Sequence, residues 1–150
     1  MENEDQVMVL NDLVRINNDR TEGYRKASEN LKDTETDLLS IFNEFAMNSE
    51  KNKEELIEQI RRLEGTYEDG TTMSGKMYRA WMDIKATFGG NDEKGILESC
   101  ERGEDAAKKA YEGALETDSL DAQSREVIMN QQTKQMQAHD KIRVLRDHLS

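Results

Sequence analysis

The sequence predicts an all-α fold, a single four-helix bundle over residues 1–150 made of two antiparallel hairpins. A long crossover holding one short extra helix is expected to join the hairpins. Three observations lead there. Apolar residues recur at three-to-four spacing in four long blocks. Proline is absent, so no residue breaks a helix by lacking an N–H. The apolar share is only 35%, which suits thin helical layers with wide polar faces better than a thick sheet core.

The first helix is expected at about 5–31, where Leu10, Leu13, Val14, Tyr24, Ala27 and Leu31 form one stripe. Asp33 or Thr34 is positioned to cap a second helix, about 36–64, which carries Leu38, Ile41, Phe42, Phe45, Leu56, Ile60 and Leu63. Gly65 is its natural stop. After "GGND" a third helix, about 92–116, aligns Ile96, Cys100, Ala107, Ala110, Tyr111 and Ala114. The fourth, about 120–149, aligns Val127, Ile128, Ala138, Ile142, Leu145 and Leu149.

Short links make helices one and two, and three and four, antiparallel neighbours. Residues 65–91 are too many for a tight turn. They hold Gly65, Gly70, Gly75, Gly89 and Gly90 around a short amphipathic helix, about 75–88, with Met77, Trp81, Ile84 and Phe88 on one side. Such a crossover can run the length of a bundle. The competing arrangement is an all-antiparallel bundle with a decorated loop.

The formal net charge of −11 argues against nucleic acid or an anionic membrane surface as a partner, since both would repel the chain. No apolar run approaches the roughly 20 residues a membrane span needs. The single cysteine, Cys100, cannot form an intrachain disulfide, and "MENEDQVMVL" lacks the pattern of a secretory signal. A cytoplasmic location is therefore expected.

Helical phase, advancing about 100° per residue, then sorts the polar residues. In "ESCERGED", Glu104 falls inside the apolar stripe and Glu101 at its margin, while Glu98 and Asp105 fall away from it. Asn17 and Thr21 interrupt the first stripe, Ser49, Asn52 and Lys53 the second, and Gln131, Lys134 and Gln135 the fourth. A polar waist across the middle of the bundle follows. Either it is a site, or it is a hydrogen-bonded layer that fixes helix register; the lysines can snorkel out of it.

"LNDLVRINNDRTEGYRKASE", "YRAWMDIK", "ILESCERGEDAAKKAYEGAL" and "QAHDKIRVLRD" resemble a bacterial four-helix-bundle family of the ferritin-like superfamily, domain of unknown function 2383. The resemblance implies a ferritin-like bundle and a bacterial source, and it supplies no activity. Di-iron proteins of ferritin-like fold build their centre from inward carboxylates and two Glu-x-x-His pairs. Met136 stands three before His139, and Leu145 three before His148, so that motif is absent. Glu22, Glu50 and Glu54 face away from the centre. Family members often carry a His ahead of the Arg and Trp of the linker helix, where this chain has Tyr78.

Two lysines near one glutamate are not expected to hold a pair of metal ions. A single ion on Glu101, Glu104 and His139 is the alternative ligand set, with iron or another transition metal as its occupant. Cys100 lies on the apolar stripe and is expected to be inert. "GTYEDGTTMSGK" lacks P-loop spacing. Trp81 and Phe88 are expected to pack the crossover onto the bundle. The expectation is thus a non-catalytic bundle with no catalytic residues, no cofactor and a degenerate metal centre. It would act as an interaction or stress-associated module and pair as a homodimer. The alternative is a metal-binding oxidoreductase or storage protein.

Overall fold

The computed structural model describes residues 2–31, 36–67 and 93–149. These residues form four helices: α1 (Glu2–Glu29), α2 (Thr36–Arg62), α3 (Glu93–Glu116) and α4 (Ala122–His148). Among the described residues there is no strand. The start of α2 and the end of α3 fall where the sequence places them, and the other ends differ by one to three residues. The short crossover helix with Met77, Tyr78, Trp81, Ile84 and Phe88 lies outside the described residues. So do the Asp33 or Thr34 cap and the "GGND" start.

Side-chain contacts fix how the helices run. Asn17 and Arg20 of α1 meet Asn52 and Asn48 of α2, so these helices are antiparallel. Asn17 also meets Tyr111 of α3, and Arg20 meets Glu104, which makes α1 and α3 antiparallel too. Gln131 and Asp121 of α4 meet Asn52 and Arg62 of α2. It follows that α2 and α3 point the same way. The all-antiparallel arrangement would need them opposed, so it is not the one adopted.

Each helix forms because its apolar stripe finds the others. Toward one end Leu10, Leu13, Val14, Leu56, Ile60 and Ile128 are buried; toward the other Tyr24, Leu38, Phe42, Ile96, Leu97 and Ile142 are. Each such side chain contributes about 1.5–3 kcal/mol relative to exposure. Val127, Leu145 and Leu149 of the expected fourth stripe are only partly buried or exposed. The buried apolar side chains of α4 are Ile128, Ala138 and Ile142, with Leu145 packed against the core from its edge.

The end of α2 is closed by a pair of hydrogen bonds, Gly65 N–H to the Ile60 carbonyl (2.9 Å) and Glu64 N–H to the Arg61 carbonyl (2.9 Å). This is the Schellman pattern. The left-handed position belongs to Glu64, at φ 61°, and Gly65 is the residue after it. Gly65 is needed for space: a Cβ there would stand 2.6 Å from Cγ2 of Val7.

Asp121 opens α4 and ties three helices together. Its carboxylate accepts from the Ser124 N–H (2.9 Å) and from Arg62 at the end of α2 (2.9 and 3.0 Å). Its own N–H donates to Gln6 of α1 (2.8 Å). Burial pushes its carboxyl up, but the Ser124 N–H and Arg62 outweigh this and hold it below the usual aspartate value. A depressed carboxylate contributes stability above its unfolded pKa, about 3.9, and loses it as pH falls through the folded value. Asp121→Asn keeps a capping oxygen and removes the charge. In thermal melts across pH, wild type should exceed Asp121→Asn above about pH 4, and the gap should close under acid. A gap that stays constant with pH would show that the ion pair contributes nothing.

Candidate functional site

Two stacked hydrogen-bond systems cross the middle of the bundle. The first involves all four helices. Asn17 donates through Nδ2 to the Tyr111 hydroxyl (2.9 Å) and to the Leu13 carbonyl (2.9 Å), and it accepts from Asn52 (3.1 Å). Tyr111 donates to Gln131 Oε1 (2.8 Å), and Gln131 Nε2 donates to the Asn52 carbonyl (3.1 Å) and to Glu55 (3.0 Å). Burial pushes the Tyr111 hydroxyl up to about 12, so it stays a neutral donor.

The second system surrounds Glu104. Arg20 forms a two-pronged pair with it, Nε to Oε1 at 3.0 Å and a terminal nitrogen to Oε2 at 2.8 Å. Both side chains are fully buried. The Tyr24 hydroxyl also donates to Oε2, and Gln135 Nε2 donates to Oε1 (3.2 Å) and to the Glu104 carbonyl (2.8 Å). Asn48 accepts from the third guanidinium nitrogen at 3.4 Å.

The electrostatics follow from burial. Desolvation alone would lower the Arg20 pKa, but the adjacent Glu104 carboxylate overrides it and raises the value, so the guanidinium stays charged. Burial pushes the Tyr24 hydroxyl well up, with Glu104 adding to the effect. Bidentate Arg–carboxylate pairing with further donors is the geometry in which a buried pair recovers its desolvation cost. Gln135 Oε1 is buried without a hydrogen-bond partner.

The waist residues named from sequence do not all join these systems. Asn17, Asn52, Glu104, Gln131 and Gln135 are buried and do. Thr21 and Ser49 are buried but turn back onto their own helices, bonding the carbonyls of Asn17 (3.0 Å) and Phe45 (3.0 Å). Lys53 is half-buried. Lys134 is exposed, a correction to its inward placement: its long stem carries the ammonium into water. The cation that meets Glu104 is Arg20.

Arg20 and the two tyrosine hydroxyls were missing from the sequence reading. The signal was present, because Leu13, Asn17, Arg20, Tyr24 and Ala27 follow one another at three-to-four spacing. Arginine is seldom fully buried, and that expectation hid it.

The alternative ligand set of Glu101, Glu104 and His139 is not brought together. Glu104 is held inside by Arg20, while Glu101 is held near the surface by Arg146. In place of Glu104, Asp105 meets His139, with Oδ1 2.6 Å from Nε2. Cys100 is buried and unpaired, and burial pushes its thiol well up, so it is a poor nucleophile.

Among the described residues, no helix is long and apolar enough to cross a membrane. A comparison with curated proteins finds no match. The family model described as "Domain of unknown function (DUF2383)" matches residues 5–117, which run from the first turns of α1 through the end of α3. The chain, matched over most of its length, belongs to that family.

Proposed function

We propose that the protein is a non-catalytic, ferritin-like helical bundle whose metal centre has degenerated, and that it serves as an interaction or stress-associated module. The observation that carries this reading is the buried Arg20–Glu104 pair. A guanidinium fills the place beside the central carboxylate that a metal cation would need, and Tyr24 and Gln135 engage the same two oxygens. A carboxylate so occupied offers nothing to a second cation. The parallel run of α2 and α3 supports the ferritin-like part of the proposal.

Self-association is part of the same reading, with a homodimer as the assembly. Met8, Met47 and Met129 are large apolar side chains left more than half exposed. Methionine adapts its shape to a partner surface. A cytoplasmic setting accords with a single cysteine held as a buried thiol.

Anaerobic Fe²⁺ titration of the metal-free protein tests the central claim. Wild type and Glu104→Gln, each checked for helicity, should give the same titration, with no binuclear uptake. Two equivalents per chain in wild type, lost in Glu104→Gln, would overturn the proposal and establish an iron-binding centre instead.

A further inference from the structure

The α3–α4 seam carries a second cluster, distinct from the Arg20–Glu104 centre. Glu101 and Asp105 stand four residues apart on α3, on one face of that helix. His139 reaches toward them from α4. One ligand atom from each of the three lies within 4.8 Å of the others. Donors about 2.1 Å from one tetrahedral ion stand roughly 3.4 Å apart. The His139–Asp105 contact, at 2.6 Å, is shorter than that, so a side-chain rotation has to open it for an ion to enter.

The surroundings suit a ligand histidine. His139 is only 7% exposed, so its ring is held by packing. Its Nδ1 faces the Asp140 carboxylate at 3.2 Å, while Nε2 faces the cluster. A carboxylate on the far ring nitrogen fixes the tautomer and raises the basicity of the ligating one. Arg146 donates to one oxygen of Glu101, and a carboxylate has two. Asp105 is exposed and marks the way in from solvent.

Charge favours a cation here. Two carboxylates at i,i+4 repel; Arg146 already offsets Glu101, and a divalent ion cancels the charge that remains. The chain's net charge of −11 draws cations toward it. One imidazole with two carboxylates is a borderline donor set that fits Zn²⁺ among first-row ions. We propose that Glu101, Asp105 and His139 form a peripheral site for a single Zn²⁺-like divalent ion, with a fourth position open to water. The site is independent of the central layer and does not depend on the function proposed above.

Calorimetric titration of the metal-free full chain with Zn²⁺ at moderate salt tests it. Wild type should bind one equivalent, and His139→Gln and Asp105→Asn should lose saturable binding while keeping their helicity. Asp140→Asn should weaken it by about 10–100-fold. Glu104→Gln and His148→Gln should bind as wild type does. Co²⁺ should give a visible absorption band in wild type that is missing in His139→Gln. Weak, non-saturating uptake shared by wild type and His139→Gln would overturn the site and mark the acidic surface as its source. One-equivalent binding that survives both His139→Gln and Asp105→Asn would overturn it as well.

Discussion

Glu104→Gln should lower stability by about 3–5 kcal/mol, a large share of the 5–15 kcal/mol typical of a domain. The amide keeps the shape of the side chain and removes its charge. Arg20, fully buried, is then left as an uncompensated cation. Arg20→Met should cost a similar amount for the mirror reason, since Glu104 keeps only Tyr24 and Gln135 as donors. Arg20→Met combined with Glu104→Met should recover most of the loss, because replacing a buried pair with apolar side chains is often neutral or stabilising. Urea denaturation of the four proteins closes the cycle. Near-additive losses would show that the two charges are not coupled, and the account of the centre would fail.

That cycle also separates two uses of a buried polar layer. A layer kept for stability should leave the double variant weaker than wild type. One kept to fix register leaves it as stable but less uniquely packed. The Asn17–Tyr111–Gln131–Asn52 chain is intact in the double variant and provides register by itself. The double variant should therefore keep sharp amide dispersion in its NMR spectrum.

How far the sequence discloses the layer depends on the residue type. Asn17, Asn52, Glu104, Gln131 and Gln135 interrupt apolar stripes at helical spacing, and all five are buried. Arg20 interrupts the same stripe as Asn17, yet a long cation invites the assumption that it reaches water. Lys134 carries the converse lesson, being inward by phase and exposed in the structure. What decides between them is a partner: Glu104 lies across from Arg20, and helical phase on one helix says nothing about the register of its neighbour. Thr21 and Ser49 show another gap, since a hydroxyl can satisfy itself on its own helix. Asp105 and His139 meet at the edge of a helix seam, where a rotation of some tens of degrees separates contact from solvent.

Phe42→Ala should cost about 3–5 kcal/mol, and part of that loss should come through Glu104. Phe42 is fully buried, and its ring lies 5.7 Å from that of Tyr24 at a 39° tilt. Phe45 meets Tyr24 on another side, edge-on at 5.4 Å. The two rings hold Tyr24 in the orientation that brings its hydroxyl to Glu104, and the Arg20 guanidinium lies 5.8 Å over the same ring. Removing Phe42 leaves a cavity beside the aromatic side chain that donates into the charged centre. Tyr24→Phe, which deletes only the hydroxyl, should cost about 1.5–3 kcal/mol, the range for a hydrogen bond to a charged group. With Phe42 already gone, Tyr24 is free to tilt, and losing its hydroxyl should then cost less. Denaturation of the two single variants and the double should show coupling of about 0.5–3 kcal/mol, as for residues in one network. Strict additivity would mean that the apolar layer and the polar centre are built separately.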